Sequence, residues 1–208
     1  MSLKDIFNKV KKEAEVLQGK DAKDKQYVQE NTFPDEAAAV AAFERSREKL
    51  FAVDKWSRLP GINSTFELYD AAGRKSQAPK PAQGDFMKVI LPGLPLENWV
   101  QVISIREEDQ RAEFRVRPCP SPETPAEDNE VRHFFTSEAT STFRVEREGA
   151  TLRGSEIGEN EKPNNQEEAS ASRTVVNTLV AEGGWAGFQA LQWDKVTAYL
   201  VHLLEVEE

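Results

Sequence analysis

The spacing of apolar residues along this chain changes twice, and the changes divide it into helical and extended stretches. Residues 3–18 set Ile6, Phe7, Val10 and Leu17 at partial helical spacing and predict a short helix, followed by a polar connection over residues 19–31. A second helix is predicted from Asp35, a capping residue type placed after Pro34, to about Trp56. Val40, Phe43, Leu50, Phe51 and Val53 supply its buried side, and Pro60-Gly61 stops it. The period then falls to two. STFELYD (64–70) puts Phe66 and Leu68 on one face and Tyr69 on the other. FMKVILPG, NWVQVISI, AEFRVRP, HFFTSEATSTFRVERE and TLRGSEIG continue as strands, the last two joined by a hairpin at Gly149.

The end of the chain returns to the helical period. In GGWAGFQALQWDKVTAYLVHLLEVEE, residues Trp185, Phe188, Val196, Tyr199, Leu200 and Leu203 fall on one stripe, which Trp193 and Leu204 widen. A helix with so broad an apolar face has to be laid against something, and a half-exposed sheet needs a cover. The expected fold class is therefore α+β: a curved antiparallel sheet, helices near the N-terminus and a long C-terminal helix packed on the sheet. A single domain over 1–208 is expected, with residues 1–31 a peripheral helix and connection. GRKSQAPKPAQG, PCPSPETPAEDN and GENEKPNNQEEASAS read as loops, because proline and small polar residues cannot hold a ladder. TVVNTLVAE (174–182) fits either a last strand or a helix.

Charge and composition narrow the function. The net charge of −9 over 208 residues lacks the basic footprint of a phosphate-backbone binder, so no nucleic-acid partner is expected. No stretch has the run of apolar residues a membrane span needs, and the first residues show no secretory pattern. With Cys119 as the one cysteine, no internal disulfide forms. The expected location is cytoplasmic, with no membrane partner.

Motifs that carry chemistry are scarce. His133 and His202 belong to no metal-ligand spacing, and Cys119 has no CxxC partner, so no metal site is expected. Nucleotide loops and nucleophile elbows are missing too, which leaves no cofactor and no catalytic residue to name. Cys119, between prolines in an acidic loop, reads as an exposed, inert thiol. Glu156, Glu159 and Glu161 alternate with Gly158, Asn160 and Lys162 and read as a solvated rim. The aromatics are the one class that can line a pocket, and Trp99, Phe134, Trp185 and Phe188 form the candidate ligand-binding set. The competing reading makes the same residues part of a well-filled core.

The order of a helical segment, antiparallel strands and one long aromatic-rich helix resembles the helix-grip fold of the START-like superfamily. FPDEAAAVAAFERSREKLFAVDKW and GGWAGFQALQWDKVTAYLVHLL carry the likeness, which covers residues 27–205. It implies a sheet wrapped around the final helix with a cavity between them. GDFMKVILPG followed by ENWVQVISI also resembles consecutive strands of a small SH3-like or OB-like barrel. The middle stretch, with EVRHFFTSEATSTFRVEREG and GENEKPN, resembles an uncharacterised group of bacterial proteins, which implies no function. Three functions follow as expectations. The first is a non-enzymatic binding or interaction protein holding a small apolar ligand between sheet and helix. The second is a helix-grip enzyme of cyclase or hydrolase type acting on a hydrophobic substrate. The third is a structural or assembly protein without a pocket.

Overall fold

The strands pair with their neighbours in chain order except the first, which pairs with the last. The computed structural model describes residues 23–91, 97–123, 135–162 and 185–206. Its strands are β1 (Lys23–Thr32), β2 (Thr65–Tyr69), β3 (Phe86–Ile90), β4 (Glu97–Glu108), β5 (Arg111–Pro118), β6 (Thr140–Glu148) and β7 (Thr151–Glu161). They form one antiparallel sheet in the order β1-β7-β6-β5-β4-β3-β2. The end strands β1 and β2 do not pair with each other, so the sheet stays open and the small-barrel alternative is not formed. One face packs on α1 (Glu36–Phe51), the 3₁₀ helix Val53–Arg58 and α2 (Trp185–Leu200). This is the expected α+β architecture, an antiparallel sheet with helices near the N-terminus and a C-terminal helix packed on one face.

Strand β1 lies where the sequence reads as a polar connection. Its inward positions are Lys25, Tyr27, Gln29 and Asn31, all half-buried, and just one of them is aromatic. Hydrophobic alternation therefore carries no signal. The strand is held by a backbone ladder to β7, from Thr32 opposite Thr151 back to Lys23 opposite Glu161. Asn31 adds a side-chain bond of 2.8 Å from its Nδ2 to the Val201 carbonyl, at the end of α2. The helix expected over residues 3–18, the TVVNTLVAE segment and His133 lie outside the described residues.

Helix α1 starts where its cap predicts. The Asp35 carboxylate accepts from the Ala38 N–H at 2.8 Å. The helix buries Ala39, Ala42, Phe43, Ser46, Leu50 and Phe51, so small residues let it approach the sheet closely. Val40 falls beside that face and is 43% exposed, contrary to its expected burial. The α-helix also stops at Phe51 rather than Trp56. The tighter 3₁₀ turn that follows swings Trp56 into the interior, where it is fully buried.

Trp56 is the centre of an aromatic cluster. Its ring centroid lies 5.0 Å from Phe143, 5.6 Å from Phe66 and 6.0 Å from Phe114. Its indole N–H donates to the Lys49 carbonyl at 3.0 Å, so the polar edge of the ring is satisfied within α1. A bulge between Val102 and Ser104 keeps β4 facing this cluster along its length. Before the bulge Asn98, Val100 and Val102 face inward. After it the alternation flips, and Ile105 packs on the core opposite Phe114.

Helix α2 crosses the sheet over Gly154. A Cβ on that residue would lie 2.8 Å from the Thr197 carbonyl oxygen and 3.2 Å from Leu200 Cβ, so the close approach requires glycine. The helix ends in paired turns, with His202 N–H to the Tyr199 carbonyl at 3.2 Å and Leu203 N–H to the Ala198 carbonyl at 2.9 Å. His202 itself takes φ 63°. Because the helix stops there, Leu203 leaves the expected stripe and is 53% exposed. Gly154→Ala should lower stability by about 1–3 kcal/mol by forcing α2 off the sheet. Urea denaturation checks this, and an unchanged midpoint would show that the helix does not ride on that position.

Candidate functional site

The inward side chains of the central strands do not fill all the space beneath α2. Met87 and Val89 from β3, Val100 from β4, Val116 from β5 and Phe143 from β6 wall a cavity of about 70 Å³. Gln192 and Trp193 cover it from α2, and Phe135 and Ala139 close it from the segment before β6. Trp193 sits 5.2 Å from Phe143 and 6.3 Å from Phe66, which joins this wall to the cluster around Trp56. The cavity is about half the size of a roughly 150 Å³ apolar void that accepts benzene, so a short aliphatic group fits it without rearrangement.

Polar groups sit at the edge of this space. Asn98 is buried and its Nδ2 reaches the Val89 carbonyl at 3.4 Å. The Ser64 hydroxyl donates to Gln192 Oε1, which orients the amide. Thr140 and Ser141 bring hydroxyls from β6. These side chains offer hydrogen bonds to a ligand, and none of them titrates near neutral pH.

Of the candidate aromatic set, Trp99 is the one whose side chain is described, and it does not line this space. Asn98 and Val100 face the cavity, so the strand pleat sends Trp99 to the opposite side of the sheet. There it packs with Tyr69, at 4.7 Å between ring centroids, and with Cys119, while Lys88 Nζ lies 5.2 Å over its ring. Trp185 and Phe188 belong to the first turns of α2, but their side chains lie outside the described residues, as does Phe134. Sequence reasoning missed the aliphatic walls Met87, Val89 and Val116. They fall in stretches the sequence predicts as strands, but nothing local distinguishes a side chain that lines a void from one that fills it.

Cys119 is buried rather than exposed, at 8%. The loop after β5 folds back over the sheet, with Cys119 N–H bonded to the Trp99 carbonyl at 3.0 Å. Burial pushes the thiol up to about 12, against a weaker opposing pull from Arg117. The thiol is thus inert for a different reason from the one its acidic loop suggests.

His202 has a defined structural task. The Lys49 ammonium donates to its Nδ1 at 2.9 Å, so Nε2 must carry the ring proton, which points to the Ala42 carbonyl at 3.0 Å. Ser46 Oγ lies 3.1 Å from the same nitrogen. Lys49 also bonds the Tyr199 carbonyl at 3.1 Å and Glu205 at 2.6 Å. This joins α1 to the C-terminal end of α2, where a cation is favourable. A protonated imidazole would face Lys49 with a second positive charge. Burial first, then Lys49 and Arg45, lower the His202 pKa, against opposition from the Ala42 carbonyl and Glu205.

Two of the acidic trio are buried rather than part of a solvated rim, and the third, Glu159, stays at the surface. Glu156 is 0% exposed and Glu161 3% exposed, while Glu159 pairs with Arg115 at 2.5 Å. The sequence signal was present: Leu152, Gly154 and Glu156 share one side of β7, and that side is the covered one.

No protein-family model matches the chain, and no curated protein matches it in sequence. Among solved structures, it is similar to a hypothetical protein from Helicobacter pylori, at 12% identity and TM-score 0.52, over 89% of this chain and 92% of that one. This likeness shows the fold alone. Norcoclaurine synthase from Thalictrum flavum aligns at 14% identity and TM-score 0.41, over 88% and 90% of the two chains. The major latex-like protein 151 of Panax ginseng aligns at 14% identity and TM-score 0.37, over 76% and 93%.

Two outcomes are expected. Cys119 should resist iodoacetamide at neutral pH in the native state and react quickly in denaturant; equal rates would show that the thiol is not covered. His202 should make stability fall as pH drops below about 6.5, because the unfolded chain then takes a proton the native imidazole refuses. This contribution is complete above that pH and lost toward the lowered native pKa. Denaturation midpoints of wild type and His202→Gln between about pH 5 and 7 should converge at the acid end, and parallel curves would contradict the assignment.

Proposed function

We propose that this protein binds a small apolar ligand in the cavity between the central strands and α2. The observation that supports this reading most is the wall itself: aliphatic and aromatic side chains from four strands, with amides and hydroxyls confined to its edge. Such a lining favours an apolar body and fixes its orientation with a few hydrogen bonds. The volume of about 70 Å³ favours a short aliphatic or small cyclic group over an extended lipid. A binding role fits this set better than a catalytic one, because the described lining residues include no acid or base to activate the Thr140 and Ser141 hydroxyls.

Titration with n-butanol, followed through the methyl signals of Met87, Val89 and Val100, should give saturable shifts confined to those residues. Val89→Phe should fill the space and abolish them while leaving the dispersed spectrum of a folded chain. Shifts that grow linearly and spread over the whole spectrum would contradict a defined site.

A further inference from the structure

Gln192 interrupts an apolar row of α2. Every fourth residue of a helix falls on nearly the same line, and the row Phe188, Gln192, Val196, Leu200 holds one polar residue. Val196 and Leu200 are fully buried, and Gln192 is 6% exposed. A buried amide is costly unless its hydrogen bonds are made. Packing alone would be served by a methionine, which is equally unbranched and carries no amide to satisfy.

Half of that amide is satisfied within the fold. Ser64, buried just before β2, donates its hydroxyl proton to Gln192 Oε1. This bond fixes a planar group whose other end, Nε2, carries two N–H donors. Nε2 meets no acceptor among the described residues. Gln192 lines the cavity, so with the oxygen turned to Ser64 the nitrogen is the free polar end of the amide beside that space.

The other polar side chains of the rim already have protein partners. Asn98 Nδ2 reaches the Val89 carbonyl. The Thr140 hydroxyl accepts from Arg115 Nη2 at 2.8 Å and donates to Glu159 at 3.4 Å. The Ser141 hydroxyl interacts with the Glu156 carboxyl. A ligand matched to the remaining N–H groups carries an acceptor and brings no proton that needs a partner of its own. A carbonyl oxygen does this and a hydroxyl does not. The described lining holds no cation to balance a carboxylate, so the acceptor is neutral.

We infer that Gln192 is the specificity residue of the cavity and donates from Nε2 to the carbonyl oxygen of a short aliphatic carbonyl compound. The hydrocarbon part of the ligand lies against Met87, Val89, Val100 and Phe143. This rests on the cavity reading above and names its ligand class. No covalent bond changes on binding.

The test compares 2-butanone with 2-methyl-1-butene, in which a methylene group replaces the carbonyl oxygen at nearly the same shape, by NMR titration of the full chain. In the wild type, saturating butanone should move the Gln192 side-chain amide protons downfield, and the alkene should not. Gln192→Met should weaken butanone binding relative to the alkene by at least about fivefold, the worth of one neutral hydrogen bond. The wild-type amide signal decides the matter if the variant does not fold. Binding of both probes with unmoved amide protons, or an unchanged ratio of affinities in a folded variant, would overturn the role of the amide while the apolar cavity stands. Binding of neither probe would overturn the cavity reading and this inference with it.

Discussion

The structure turns on where the Trp56 indole is held. Three elements meet at this ring: the 3₁₀ turn that carries it, the inner face of β2, β5 and β6 through Phe66, Phe114 and Phe143, and α1 through the Lys49 carbonyl. An aromatic ring of this size removes a large apolar area from water and is satisfied at its one polar atom. Its placement sets how far the helices stand from the sheet. Phe143 touches both Trp56 and Trp193, so the same ring that completes the core also ends it. The cavity begins on the far side of Phe143, where Met87, Val89, Val100 and Val116 leave space beneath Gln192 and Trp193.

The seating of α2 is the second constraint. Gly154 lets the helix backbone approach the sheet, and Asn31, Lys49 and His202 hold its C-terminal end against β1 and α1. All of these contacts belong to the last turns. The middle of the helix, at Gln192 and Trp193, spans the cavity. There the helix is held by the Ser64 bond to the Gln192 amide and by Trp193 against Phe66 and Phe143, so the cavity lies beneath a segment anchored on both of its sides.

Two bulges shape the covered face, one in the interior of the sheet and one at its β1 edge. The one in β4 keeps apolar side chains inward past Val102. The one near Asn160 does the reverse and turns Glu161 inward beside Glu156. One extra residue exchanges the faces of every later side chain in its strand, so a small change in backbone sets whether a region is core or site.

The sequence by itself determined the period-two strands, the Asp35 cap, the turn at Gly149 and the covering role of the final helix, because each is a local pattern of residue types. It also put Phe66 and Leu68 together on one face. Tertiary structure decided the rest. Strand β1 exists through backbone pairing with β7, which leaves little mark on side-chain chemistry. Val40 and Leu203 match the apolar period yet stay exposed, because the approach of neighbouring elements sets which face is covered and where a helix stops. Trp99 and Cys119 joined a cluster on the outer face, since the burial of a loop depends on what it folds over. Glu156 was legible as an inward position and was masked by its charge. Whether a carboxylate faces solvent or a closed sheet depends on a cover contributed by distant parts of the chain, and no local spacing encodes that distance.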